Sequence, residues 1–153
     1  MLELPHTLIG ALVATKIPEP RIALPLALIS HFVLDLIPHL NPNLYTEKIN
    51  DGQVAEKSIQ LVVADTIASL ILGSVIAWSF WPNINRIVTI YLACFFAVMP
   101  DVTEGLYFFA GINHPWLIEL VKFQRRFQGK ASKKLGLTIQ LAVVLISLFY
   151  IFS

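Results

Sequence analysis

The chain is poor in charged residues and in cysteine. Of its 153 residues, 14% are Asp, Glu, Lys or Arg, whereas soluble domains carry about 25%. The net charge of +1 provides no basic field that would attract nucleic acid. The one cysteine, Cys94, lies in an apolar run and is expected in the core, because it has no partner for an internal disulfide. No Gly-x-Ser-x-Gly elbow of a serine hydrolase is present.

Hydrophobic residues, by contrast, make up 56% of the chain. A bilayer core needs about 20 apolar residues in helical form, and the segments that reach this length are residues 59–81, 87–112, 135–152 and, just long enough, 21–40. Residues 3–16 are helical in pattern but shorter, and Pro18 and Pro20 end that helix. The sequence therefore predicts a single all-α domain over residues 1–153, a polytopic transmembrane bundle of about five helices with a short first one.

Two polar stretches separate these segments. Residues 41–58 carry turn sequences and are expected to form a loop. Residues 116–128 space their apolar side chains over one broad face, which is typical of an amphipathic helix at the membrane interface, although a basic juxtamembrane loop is an equally good interpretation. We expect contacts with anionic lipid headgroups from the basic residues of this stretch, Lys122, Arg125, Arg126 and Lys130.

The excess of positive charge in residues 113–134 also predicts the orientation. With this stretch in the cytoplasm, the N-terminus is expected inside and the C-terminus outside. The first residues lack the basic region of a signal peptide and are interpreted as mature sequence.

Several ionisable residues interrupt the predicted spans, where charge is costly and normally faces the bundle interior. They are His6, His31, Asp35, His39, Asp65, Asp101 and Glu104. Most lie on stripes of small residues at steps of four, such as His6-Gly10-Ala14 and Ala93-Ala97-Asp101, and such stripes mark close helix contacts in membranes. An alternating bundle would also bring them to similar depth, so we expect one site.

The predicted spans place no lysine or arginine beside these carboxylates. Unpaired buried carboxylates must protonate, pair with imidazolium or bind a cation. Two imidazoles, from His6 and His31, and up to four carboxylates favour a divalent metal, with Zn first and Mn, Fe or Mg as alternatives. An interior hydrogen-bond network of protonated acids is the competing interpretation. His39 is expected to cap a helix end, His114 to lie in a turn, and Glu3 to be a first-turn charge.

Three short motifs resemble a known family. The opening Pro5-His6-Thr7, the segment from Ser30-His31 through Leu34-Asp35 to Pro38-His39, and the later Pro100-Asp101 are similar to those of small prokaryotic membrane-bound metal-dependent hydrolases. The His31-Asp35 spacing is also distantly similar to that of zinc-dependent phospholipase C. The resemblance implies a prokaryotic plasma-membrane protein with four metal ligands, His6, His31, Asp35 and Asp101.

The expected function is metal-dependent hydrolysis of a lipid-like phosphodiester or ester at the cytoplasmic leaflet. Asp65 or Glu104, added from depth and helix face, would act as the general base. The alternatives are a cation or proton transporter, to which intramembrane carboxylates are also suited, and a non-catalytic membrane protein with a structural metal or polar network.

Overall fold

Seven helices build the computed structural model, which describes residues 1–153. They are α1 (Glu3–Lys16), α2 (Pro20–Leu36), α3 (Leu44–Asp51), α4 (Glu56–Trp78), α5 (Ile84–Phe108), α6 (Pro115–Gln124) and α7 (Lys133–Phe152). The only β-type pairing is one isolated bridge between the backbones of His39 and Lys130. The prediction of an all-α fold is confirmed.

Three helices, α4, α5 and α7, are long and apolar enough to cross a membrane. The prediction of about five spans was wrong in number. α1 has 14 residues and α2 has 17, so at about 1.5 Å per residue they reach about 21 and 26 Å, less than the bilayer core of about 30 Å. The segment predicted as helix 21–40 ends at Leu36 because Pro38 disfavours the α conformation in the residue before it.

The outer faces of α4 and α7 are apolar and exposed. Leu70 and Ile71 on α4 are 66% and 57% exposed, and Leu145 and Phe149 on α7 are 57% and 68% exposed. Contiguous apolar surface of this kind is expensive in water and is the normal state of a helix that faces lipid. These faces and the three possible spans are consistent with a membrane protein.

α1 lies inside the bundle and packs against α2, α4, α5 and α7. Leu8, Ala11 and Ala14 have no exposed surface, and neither does His6. Close approach to α5 depends on Gly10, since a Cβ at that position would lie 2.6 Å from the backbone oxygen of Ala93. The short first helix is thus the centre of the packing rather than a peripheral one.

The polar stretches contain more helix than the sequence predicted. Residues 41–58, expected as a loop, include α3, which ends where Gly52 adopts a left-handed φ of 73°. The predicted amphipathic helix 116–128 is present as α6 and ends at Gln124. α6 buries Leu117 and Val121 against Tyr107 and Phe108 of α5, while Trp116 on its other side is 62% exposed.

Candidate metal centre

Two imidazoles from different helices stack at the centre of the site. His6 of α1 and His31 of α2 have ring centroids 4.3 Å apart and an interplanar angle of 24°. Both side chains are completely buried. Small residues position the two histidines. Gly10 allows α1, which carries His6, to approach α5 closely. Ala23 and Ala27 are buried on the face of α2 that carries His31.

Asp35, one helical turn beyond His31, faces both rings. Its Oδ1 lies 3.3 Å from Nε2 of His6, and its Oδ2 lies 3.5 Å from Nε2 of His31. The amino group of Met1 also donates a hydrogen bond to Oδ1. Asp35 is 1% exposed, so this carboxylate is held entirely by groups of the protein.

Asp101 of α5 approaches the same pair of imidazoles with its two oxygens. Oδ1 lies 3.7 Å from Nε2 of His31, and Oδ2 lies 4.0 Å from Nε2 of His6. The side chain is 17% exposed. Ligand atoms of His6, His31 and Asp101 all lie within 4.8 Å of one another, so these three residues could hold a metal ion.

The spacing of these atoms can be compared with that of a real site. Ligands bound to Zn at about 2.0–2.1 Å in tetrahedral geometry lie about 3.4 Å from one another. The nitrogen–oxygen distances from the two aspartates to the two imidazoles run from 3.3 to 4.0 Å. Each aspartate turns one oxygen to each imidazole, so both carboxylates lie within 4.0 Å of the two Nε2 atoms. The three residues that each offer one atom to a common point are His6, His31 and Asp101.

The two imidazoles differ in their hydrogen bonding. Nδ1 of His31 donates to the backbone oxygen of Ala97 at 2.9 Å, which orients the ring with Nε2 toward the carboxylates. Neither ring nitrogen of His6 has a hydrogen-bond partner although both are buried. Buried polar atoms are normally satisfied. For Nε2 of His6 the candidate partners are Oδ1 of Asp35, at 3.3 Å, and a bound cation.

Gln124 is a member of the site that sequence reasoning missed. Its Oε1 lies 3.3 Å from Nε2 of His31, and its Nε2 donates to the backbone oxygen of Pro100 at 3.2 Å. The residue is 1% exposed. The available signal was its place on the buried face of α6, at helical spacing from Leu117 and Val121.

His39 also belongs here rather than at a helix end. The chain has already left α2, and Nδ1 of His39 donates to the backbone oxygen of Ile37 at 2.8 Å. Nε2 is buried, has no hydrogen-bond partner and lies 3.9 Å from Oδ1 of Asp35. The prediction of a helix-capping histidine was wrong, because α2 ends three residues earlier at Leu36.

Two glycines hold this histidine loop in place. A Cβ on Gly129 would lie 2.7 Å from the backbone oxygen of Ile37, and a Cβ on Gly136 would lie 2.6 Å from the backbone carbon of His39. Gly129 also donates its backbone N–H to the oxygen of Asp35 at 2.7 Å. The segment after α6 and the start of α7 therefore form one wall of the site.

The two predicted general bases have different surroundings. Oδ2 of Asp65 accepts hydrogen bonds from the backbone N–H groups of Glu3 and Leu4, so this carboxylate caps the start of α1 from a neighbouring helix. Glu104 is 7% exposed, and its Oε1 has no hydrogen-bond partner. Both line a small inner cavity of about 70 Å³ together with Asp101. The hydrogen bonds to Asp65 all go to Oδ2, whereas Oε1 of Glu104 is buried without a partner.

No lysine or arginine side chain neutralises this group. The only ion pair between a lysine or arginine side chain and a carboxylate is Lys122–Glu119 on the outside of α6, at 2.7 Å, where this contact lowers the pKa of Glu119. His114 is exposed, and its ring caps α6 by accepting from the N–H of Trp116 at 3.3 Å. Asp35 has the amino group of Met1 as a cationic partner, so Asp101 and Glu104 are the carboxylates that a divalent cation would balance.

Comparison with protein-family models, with curated proteins and with solved structures gives no match. Function has to be inferred from the site itself.

Proposed function

We propose that the chain is a membrane-embedded metal-dependent hydrolase that cleaves a phosphodiester or ester bond of a lipid-like substrate. The observation that carries the proposal is the convergence of four side chains, His6, His31, Asp35 and Asp101, at distances of 3.3 to 4.0 Å. One of these imidazoles has no hydrogen bond of its own. Zn is the metal we expect first, with Mn, Fe or Mg as alternatives.

His6, His31 and Asp101 would hold the ion, with Asp35 as the fourth residue. A metal bound there would lower the pKa of a water molecule and polarise a phosphoryl or acyl oxygen. Because Oδ1 of Asp35 already accepts from the amino group of Met1, Oδ2 is the atom we assign to the metal. The backbone oxygen of Ala97 orients His31 by accepting from its Nδ1.

Glu104 is the group we assign as general base. Its free oxygen is buried, and its side chain lines the inner cavity that also reaches Asp101. A base needs an unengaged oxygen and a path to the reacting water. Asp65 lines the same cavity, but its Oδ2 is engaged at the start of α1, so we place it second to Glu104.

A lipid-like substrate follows from where the site lies. The helices that carry it pack among three possible membrane spans, and the inner cavity is bordered by apolar Leu2, Val62 and Phe109 as well as by carboxylates. A substrate with an apolar body and a polar, hydrolysable head would match both parts.

The test combines metal content with lipid cleavage. Detergent-purified wild type is expected to carry about one metal ion per chain, by analogy with a single tetrahedral site, and to release phosphorylated or acyl products from mixed phospholipid vesicles. His31→Ala and Asp101→Asn should lose both properties. His114→Ala and Asp51→Asn, which change an exposed histidine and an exposed aspartate, should lose neither. Metal-loaded wild type that cleaves no phosphodiester or ester lipid would contradict the proposal.

A transporter remains the second candidate, and one observation weighs against it. Beyond His6, the buried residues of α1 are Thr7, Leu8, Gly10, Ala11, Ala14 and Thr15, none of them ionisable. A proton or cation relay across the membrane would need further polar steps along the bundle centre. Reconstituted vesicles separate the two, because ion flux that disappears in Asp101→Asn without any lipid cleavage would favour transport.

A further inference from the structure

A larger cavity of about 680 Å³ opens next to the site, and we call it the vestibule. It is lined by 17 residues from the loop after α2, the start of α3, the end of α5 and the connection from α6 to α7. Its volume falls within the range of about 300–1,000 Å³ that is usual for small-molecule sites.

Two side chains of the vestibule also lie beside the candidate metal centre. His39 and Glu104 line it, and each has a buried polar atom without a hydrogen-bond partner. Nε2 of His39 lies 3.9 Å from Asp35. Glu104 also lines the inner cavity beside Asp101. A molecule in the vestibule would therefore lie against the residues that surround the proposed metal.

Three cations line the same cavity, Arg125, Lys130 and Lys133. None of them has a carboxylate within ion-pair distance, since the only such pair in the chain is Lys122–Glu119. The guanidinium of Arg125 lies 3.7 Å from the ring centroid of Tyr45, which holds it at the cavity wall. The backbone of Lys130 is fixed by its bridge to His39.

The first turn of α7 adds to the positive potential in the vestibule. Ser132 and Lys133, at the N-terminus of this 20-residue helix, both line the vestibule. Free backbone N–H groups and the helix dipole favour an anion at that position. The only carboxylate in the lining is that of Glu104.

We propose that the vestibule binds the phosphate group of a phosphate ester, held by Arg125, Lys130 and Lys133 at the N-terminus of α7. This deepens the proposed hydrolase function and rests on it for the subsequent reaction. Arginine and lysine with a helix N-terminus are the usual protein partners of phosphate. The amides of Asn41, Asn43 and Gln128 in the same lining suit hydroxyl groups of a headgroup. The phosphate can belong to a phospholipid headgroup or to a soluble ester.

Binding is measured by calorimetry on the full chain in a non-ionic detergent, with EDTA present and at fixed ionic strength. The two probes are glycerol 3-phosphate and dihexanoylphosphatidylglycerol. Binding of the lipid alone would identify a headgroup site, and binding of glycerol 3-phosphate alone would identify a site for soluble esters, and either supports the vestibule. Binding of neither probe to well-folded wild type would overturn it.

The chain supplies matched controls one residue away. Arg125→Gln and Lys133→Gln should weaken binding about tenfold each, as loss of a charge-assisted contact does. Arg126→Gln and Lys134→Gln remove the same charge from residues that do not line the cavity, and they should leave the affinity within about twofold. Equal weakening in both pairs would mean a diffuse basic surface and would overturn the proposal.

Because EDTA removes any bound metal, the binding experiment tests phosphate-ester binding independently of hydrolysis. Phosphate-ester binding that persists in a chain without any lipid cleavage would leave the vestibule standing and remove the enzyme. Metal-dependent cleavage of an acyl ester, with no phosphate binding and no effect of Arg125→Gln, would support the hydrolase and overturn the phosphate site in the vestibule.

Discussion

Nδ1 of His31 donates a hydrogen bond to the backbone oxygen of Ala97 at 2.9 Å, across the contact between α2 and α5. The acceptor lies in the helical turn before Pro100, where proline disturbs the regular hydrogen bonding of the helix. The same turn therefore orients one proposed metal ligand and carries another, Asp101. Placement of the site depends on how closely the helices approach α5.

Gly10→Ala tests that dependence. The added Cβ would lie 2.6 Å from the oxygen of Ala93 and 2.9 Å from the Cβ of Ala97, so α1 must move away from α5 and take His6 with it. We expect a loss of about 1–3 kcal/mol in the free energy of unfolding, as for other overpacked cores, and a lower metal content. Thermal unfolding in detergent and elemental analysis measure the two effects.

The control for this change is Gly105→Ala on α5. A Cβ there would meet only the ring of Phe109, at an ordinary 3.7 Å. Its stability should stay within about 0.5 kcal/mol of wild type, or rise slightly through better helix propensity. Equal losses in the two variants would show that the α1–α5 contact has no special role.

Gln124→Met should weaken metal binding while the fold persists. Methionine fills a similar volume but cannot donate to the backbone oxygen of Pro100, the hydrogen bond that holds the buried Gln124 side chain beside His31. Loss of a supporting residue typically costs about 10–100-fold in metal affinity, which chelator competition can measure. Gln60→Met, on an exposed glutamine that pairs with Glu56, is the control, and affinity that is unchanged in Gln124→Met would remove Gln124 from the site.

His39→Ala addresses the second residue that the sequence misjudged. If Nε2 of His39 serves Asp35 as a supporting partner, its removal should lower metal affinity about 10–100-fold without abolishing binding. The measurement is again chelator competition, with His114→Ala as the control because that histidine is exposed and caps α6. Affinity equal to that of wild type would show that the contact at 3.9 Å has no role in metal binding.

Helical periodicity explains which parts of the site could be predicted. His6, His31 and Asp101 lie on small-residue faces of helices, so spacing alone indicated that they point inward. His39 and Gln124 reach the site through a loop shaped by Pro38 and through the return of α6 onto α5, and neither follows from local pattern. Membrane spans were overcounted because apolar composition continues beyond Leu36, where the helix itself ends.

Asp65 has a structural contact at the start of α1 beside its predicted role as general base, and two substitutions separate the two roles. Asp65→Ala removes the oxygen that accepts from Glu3 and Leu4, so stability should fall by about 0.5–2 kcal/mol, as for the loss of a helix cap. Asp65→Asn keeps an accepting oxygen and should retain most of that stability. If Asp65 is structural, Asp65→Asn should also keep metal content and cleavage rate, whereas Glu104→Gln should lose cleavage. A stable, metal-loaded Asp65→Asn variant without activity would instead restore Asp65 as the general base.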